Sequence, residues 1–389
     1  MLGAATAVNT EIAGLLRRRS WASLADADQG MIALDGSANK NRLGANATVG
    51  VSMALARALA TSAGVPLWQW LTPDGVTPSL PVPHFNVLNG GVHPPNELDF
   101  QEFMIAPIGA PSLAEAVRAG AEVYAALRRE LTGRKLSTGL GDEGGFAPEI
   151  TQPEDVLGLL VQAIGDAGYK TGAEGVSIAL DPAAPEFRLP DGRYKVAGDL
   201  LTSAEMIDRY AAITQRFPVH LIEDGLGEDD DGWIALTERL GKTTELVGDD
   251  IFRTNPAIIT RVIARGIGNA ALIKLNQIGT VTETLEAMAI CRQAGYRQFV
   301  SHRSGRPRTP SSPTWPPAPA AATSSPAPRP AVNGSPSTTG CWKSQPPRPA
   351  CATACLTAEK NHRPFRCQGC RTDSGASNPE RASSSLVST

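Results

Sequence analysis

The sequence predicts an α/β protein in which a helical N-terminal segment leads into a (β/α)8 barrel. Three observations predict it. Residues 8–64 hold apolar positions at helical spacing, as in "ANATVGVSMALARALATSAG", which stops at a glycine. The stretch "TPDGVTPSLPVP" is a proline-rich connector. Beyond it one pattern recurs: a short apolar strand ends in a charged residue, and an amphipathic helix follows.

The recurring strands are "SIALDP", "HLIEDG", "ELVGDDIF", "ALIKLNQIG" and "QFVSHRSG". Their charged ends are Asp181, Glu223, Asp249, Lys274 and His302, at successive intervals of 42, 26, 25 and 28 residues. A barrel of ~250 residues uses roughly 31 per βα unit, and its active site lies at the C-terminal strand ends. One charged residue at a strand end is ordinary. Five in succession describe a rim. "PHFNVLNGG" and "FQEFMIAP" read as two antiparallel or hairpin-linked strands that open the barrel, and "GDEGGFAP" as a glycine-rich loop near its mouth.

Composition narrows the function classes. The chain has 389 residues, 42% of them hydrophobic, enough for a sizeable core. A net charge of -3 gives no sign of a nucleic-acid or membrane-surface partner. No apolar run is long enough to span a bilayer, and the first residues lack the order of a secretory signal. Of six cysteines only Cys291 precedes Gly305, which fits a reducing compartment. A cytoplasmic location is expected.

The rim residues have a chemistry. Three carboxylates from successive strands, Asp181, Glu223 and Asp249, suit a hard cation such as Mg²⁺. Asp250 competes with Asp249, since alternation turns only one of the pair inward. Lys274, one unit further on, is a candidate base, its charged form disfavoured beside an ion. A structural ion pair with those carboxylates is the other reading of it. Glu143 and Glu102 add carboxyl groups that hold protons more tightly when crowded, as a general acid requires. Arg303 and Ser304 in "SHRSG" could grip a phosphate, and His93 could orient or polarise a substrate. A base and an acid flanking a metal-held anion fit proton abstraction beside a carboxylate, then loss of a β-hydroxyl.

The motifs "GDEGGFAP", "SIALDPAAPEF", "LIEDGLGEDDDGW", "VGDDIFRTN", "ALIKLNQIGTVTETLEA" and "SHRSG" resemble the enolases, in order, from about residue 8 to Gly305. The resemblance implies an enolase-type barrel, β3α2(βα)6, behind a small α+β capping domain. It implies Mg²⁺-dependent dehydration of 2-phosphoglycerate to phosphoenolpyruvate in glycolysis, and a homodimer or larger homo-oligomer. It gives Lys274 as base, Glu143 as acid supported by Glu102, and Asp181, Glu223 and Asp249 as ligands to the first Mg²⁺. His93, Glu102, Lys274, Arg303 and Ser304 would contact substrate. Enolase-superfamily sites use a lysine or histidine base with Mg²⁺.

Two departures are expected to matter. The chain begins after the strands and mobile loop with which the family opens. After Gly305 the family continues "ETEDTFIADL"; codons for that text, with one base dropped, read "RPRTPSSPTW", which is Arg306 to Trp315. Codons for "AKYNRLLEIA" in the same shifted frame can read "PSTTGCWKSQ", Pro336 to Gln345. The tail therefore reads as frameshifted coding sequence. Its Cys351, Cys355, His362, Cys367 and Cys370 mimic a zinc site, but out-of-frame GC-rich codons yield such residues freely. The expected domains are a helical remnant of the capping domain at 1–72, a linker at 73–83, an incomplete barrel at 84–305 and a disordered tail at 306–389. Lacking a last strand and its substrate-binding lysine, the barrel is expected to leave two unpaired edges. A poorly folded fragment without lyase activity is the alternative reading.

Overall fold

The computed structural model describes residues 2–91, 96–141 and 143–301, and the backbone of 331–333. His93, Arg303, Ser304 and the tail's Cys/His set lie outside the described residues, as does most of the segment 306–389 expected to be disordered.

Helices come first. Leu2–Ala7, a π-helical turn Val8–Ile12 and Ala13–Arg18 run on as one rod, so helix begins earlier than the periodicity suggested. Leu24–Asp35 and Ala45–Ser62 follow, then a short Leu67–Leu71. Ser23 caps Leu24–Asp35 by accepting from the Asp26 amide, and Gly36 stops it in the left-handed conformation with φ 68°. Among the described residues no strand precedes Val82.

The sheet then starts. Its strands are β1 Val82–Asn89, β2 Glu102–Ala106, β3 Ser177–Asp181, β6 Val219–Glu223, β7 Glu245–Gly248, β8 Ala270–Ile273 and β9 Arg297–Val300. A separate hairpin, β4 Tyr194–Val196 with β5 Asp199–Leu201, was not foreseen. As predicted, β1 and β2 pair antiparallel. β2 also pairs antiparallel with β3, and every later neighbour is parallel. β2 is therefore the one reversed strand.

The body of the chain up to Ser301 supplies seven barrel strands and is incomplete in that sense. The expected unpaired edges of β1 and β9 are nevertheless met: β10, the three residues Ala331–Asn333, lies parallel between them. An open edge offers a row of unmet N–H and C=O groups, and a short piece of backbone suffices to pair with it. The segment reads Ala-Val-Asn, so the lysine that the resemblance assigns to the last strand has no counterpart in it.

Two apolar layers hold the barrel. The outer layer packs the helices on the sheet. In the helix Leu113–Gly133, Ala116, Ala119, Gly120, Val123, Ala126, Leu127 and Leu131 form the buried stripe at three- and four-residue spacing. Gly120 sits where a Cβ would lie 2.5 Å from the Phe85 ring, so no larger residue fits without a shift. The inner layer is Met104, Ala179, Leu221, Val247, Ala270, Leu272 and Phe299.

Candidate active site

The inner layer fixes the site. Side chains two apart on a strand share a face. Asp181 lies two residues beyond Ala179, Glu223 beyond Leu221, Asp249 beyond Val247, Lys274 beyond Leu272 and Ser301 beyond Phe299. On reversed β2 the mouth is at the strand's start, and Glu102 lies two residues before Met104. The same alternation that buries small apolar residues in the barrel thus turns each of these polar groups into its mouth. Glu102 and Asp181 are register partners. The charged residues cluster because the barrel closes, not because they are near in sequence.

They line a cavity of about 110 Å³, together with Asn86, Gln101, Glu143 and Ser301. Lys274 Nζ donates to Asp249 Oδ2 at 2.5 Å, and Gln277 Nε2 donates to Asp249 Oδ1 at 2.7 Å. The Lys274 amide donates to Thr254 Oγ1 at 2.8 Å, and that hydroxyl donates to Gln277 Oε1 at 2.9 Å. Asn86 and Asn89 donate to Glu143 Oε2 at 3.4 and 3.3 Å. Glu102 and Glu143 are themselves hydrogen-bonded. In the strand order β1-β10-β9-β8-β7-β6-β3-β2, the strand before Lys274 and the strand opened by Glu102 are four places apart in either direction. The lysine and the Glu102–Glu143 pair therefore stand on opposite walls.

Burial and crowding shape the charges. Burial, then the neighbouring Glu143, raise the Glu102 pKa well above the carboxylate range. Burial with Asp224 does the same for Asp181, and burial with Asp181 for Glu223. Lys274, with no ion beside it, is held in its charged form. Burial opposes its charge, but Glu223 and Asp249 outweigh that and hold it above the ordinary lysine range. The expected weakening needs an ion's positive charge on those carboxylates; bare, they stabilise the ammonium.

Asp249, not Asp250, is the member of the pair that meets Lys274, while Asp250 is exposed. Among the described residues, Asp224, Asp249 and Asp250 form a trio of carboxylates whose oxygens lie within 4.8 Å of one another. Asp249 is common to this trio and to the sequence-predicted set. Asp224 was missed. It adopts φ 40° just past β6, and its two oxygens accept the Asp249 and Asp250 amides at 2.9 and 3.0 Å. Burial and Asp249 push its pKa up to about 7. The acidic doublet "ED" was its only signal. Thr254 and Gln277 had none, because their roles depend on segments folding back over the rim; nor had Asn86, which lies within β1 and meets Glu143 from a returning loop.

An oxygen-only donor set suits a hard divalent cation. Glu223 Oε2 supports the fit: it is buried and has no hydrogen-bond partner among the described residues. Such an atom costs free energy unless something meets it.

Family models match the chain in two blocks. The enolase N-terminal domain covers residues 1–71, and the enolase C-terminal TIM barrel domain covers residues 77–310. The chain belongs to the enolase family. The enolase of Acidothermus cellulolyticus is 53% identical to it over 279 residues, which are 72% of this chain and 64% of that relative. The chain thus spans less than two thirds of that enolase's length. Among the described residues no helix is long and apolar enough to cross a membrane.

Proposed function

We propose that this enolase-family chain is a hydro-lyase that dehydrates 2-phosphoglycerate to phosphoenolpyruvate, as the relative's name suggests for that protein. The observation that carries the reading is the placement of Lys274 and the Glu102–Glu143 pair on opposite walls of one carboxylate-lined cavity. Dehydration needs a base on one face of the substrate and an acid at the leaving hydroxyl.

Lys274 Nζ takes the proton from C2, and the electron pair left behind becomes the C2–C3 double bond. Glu143 gives a proton to the C3 hydroxyl, which departs as water. Glu102, whose pKa burial and Glu143 raise well above the carboxylate range, shares a hydrogen bond with Glu143 and limits the negative charge of the pair. Asp181, Glu223 and Asp249 would hold Mg²⁺, with Asp224 fixing the Asp249 backbone. Bound there, the ion supplies positive charge against the charge that builds on the substrate carboxylate. Lys274 is a base only as the free amine, so it must first lose the ammonium proton that bare Glu223 and Asp249 stabilise. His93, Arg303 and Ser304 are proposed substrate contacts from the resemblance alone. Glycolysis, a cytoplasmic location and a homo-oligomer belong to the same proposal.

A second reading rests on β10. The closing segment reads Ala331–Asn333 and brings no lysine to the mouth, so the chain would bind an ion without turning substrate over. Purified chain is incubated with 2-phosphoglycerate and Mg²⁺, and phosphoenolpyruvate is followed by its ultraviolet absorbance. Mg²⁺-dependent product supports the first reading. Saturable Mg²⁺ binding without product supports the second.

A further inference from the structure

The helix Val281–Gln293 begins seven residues after Lys274, and the N-terminal helices cap it. The first amides of a helix have no partner within it. Here the Val281 amide donates to Ser52 Oγ at 2.9 Å, and the Thr282 amide donates to Asp28 Oδ2 at 3.1 Å. The Glu283 amide donates to Thr280 Oγ1 at 3.2 Å. Two of these three acceptors lie more than 220 residues away in sequence, on the helices Leu24–Asp35 and Ala45–Ser62.

The acceptors are tied to each other. Ser52 Oγ donates to Asp28 Oδ2 at 2.9 Å, and Thr282 Oγ1 donates to the same oxygen at 2.5 Å. Asp28 and Ser52 are fully buried. A carboxylate at a helix N-terminus is favoured by the unmet amides and the helix dipole, which offsets part of the cost of burying it; burial still raises the Asp28 pKa, and its Oδ1 has no hydrogen-bond partner among the described residues. A second strut stands beside them. Lys40, only 4% exposed, crosses Gly279 and pairs with Glu283 at 2.8 Å. Gly279 has φ 99°, and a Cβ there would lie 2.9 Å from Lys40 Cδ. Glycine is what lets the turn pass beneath the lysine.

Between these struts and the site lies only the turn Lys274–Gly279. Its near end holds Lys274 on Thr254 and Gln277 on Asp249. We propose that Asp28 and Ser52 are positioning residues. By capping the Val281–Gln293 helix from outside the barrel they fix the turn that carries Lys274. This role rests on the reading of Lys274 as the base, and it makes the N-terminal helices part of the site's framework.

The test is amide hydrogen exchange on the full chain, followed by mass spectrometry at the 274–283 segment. Asp28→Asn and Ser52→Ala are compared with Ser23→Ala, which removes an exposed cap from the same Leu24–Asp35 helix without touching Val281 or Thr282. Both clasp variants should speed exchange at least tenfold across 274–279 as well as at 281–283, and Ser23→Ala should not. Faster exchange confined to 281–283, or the same change in Ser23→Ala, overturns the proposal. If the unaltered chain forms product, the clasp variants should lower kcat tenfold or more at unchanged KM, and an unchanged kcat counts against it. If the unaltered chain forms none, the hydratase reading fails, while the exchange result still decides whether the clasp orders the turn.

Discussion

Lys274 Nζ and Asp249 Oδ2 lie 2.5 Å apart, so the candidate base is held by a candidate metal ligand. Gln277 occupies the other oxygen of Asp249. Altering either residue takes the ion-pair partner from the other at a half-buried position.

Lys274→Ala should abolish product formation. General-base catalysis contributes ~10²–10⁴-fold, and the loss should be at least that large. Calorimetry should show that the variant still binds Mg²⁺, as tightly as the parent or more so, since a competing cation has gone. Turnover within threefold of the parent would remove Lys274 from the chemistry.

Crowded carboxylates make the ion's contribution depend on pH. Burial and neighbours raise the folded-state pKa of Asp181 and Glu223 above the ordinary 3.8 and 4.5, and that of Asp224 to about 7. The folded chain therefore keeps protons that the unfolded chain has released. Their contribution to stability is full below the ordinary carboxylate range and is lost as pH rises through the raised values. A divalent cation takes the deprotonated forms, so its stabilisation should grow with pH. The Tm difference between Mg²⁺ and chelator should be larger at about pH 8 than at about pH 5, because Kd rises as the carboxylates take up protons; at any pH a hundredfold excess over Kd stabilises by ~2.7 kcal/mol. A shift of equal size at both would contradict this.

A histidine pair at the barrel's other end works in the opposite sense. His84 Nε2 and His220 Nε2 face each other at 3.1 Å, while the Nδ1 atoms meet the carbonyls of Val82 and Ile178 at 3.2 and 3.0 Å. One ring must carry its proton on Nε2 for that contact to be a hydrogen bond. Burial lowers both pKa values, helped by His220 for His84 and by Arg297 for His220, whose value falls to about 4. Arg297 is itself paired with Glu245. Below the ordinary 6.5 the unfolded chain takes up protons that the folded pair refuses, so stability is lost as pH falls from about 6.5 towards 4. The double variant His84→Met/His220→Leu should flatten that acid limb in denaturant titrations. An unchanged slope would show that the pair does not govern it.

Gly120 tests the outer layer. An added methyl meets the Phe85 ring at 2.5 Å. Gly120→Ala should destabilise by ~1–3 kcal/mol, despite the ~1 kcal/mol that alanine gains in a helix. A more stable variant would mean that helix and β1 pack less closely.

Ring closure by β10 is tested with Val332→Pro. Val332 pairs with Pro83 on one side and Val300 on the other. Proline removes a ladder donor and is confined to sheet edges, so the Tm should fall by several degrees. No change would show that these three residues do not close the sheet.

The barrel was legible because its strands are short, apolar and end in charge; "SIALD", "HLIE" and "ALIK" announce β3, β6 and β8. Their place at successive strand ends also put Asp181, Glu223, Asp249 and Lys274 on one expected rim. Asp224 and Gln277 were not legible, since what they bind is a backbone amide or a carboxylate brought close only by a returning loop. The ion-free state of Lys274 was not legible for a related reason: it depends on three carboxylates from three strands, and their summed field exists only once the ring is closed. The sequence by itself determined that charged residues end the barrel strands and that the chain is an enolase relative. Tertiary structure decided the partners, because hydrogen bonding and burial depend on distance in space. It also seated Ala331–Asn333 between β1 and β9 and set Asp28 and Ser52 on the helix that follows the base.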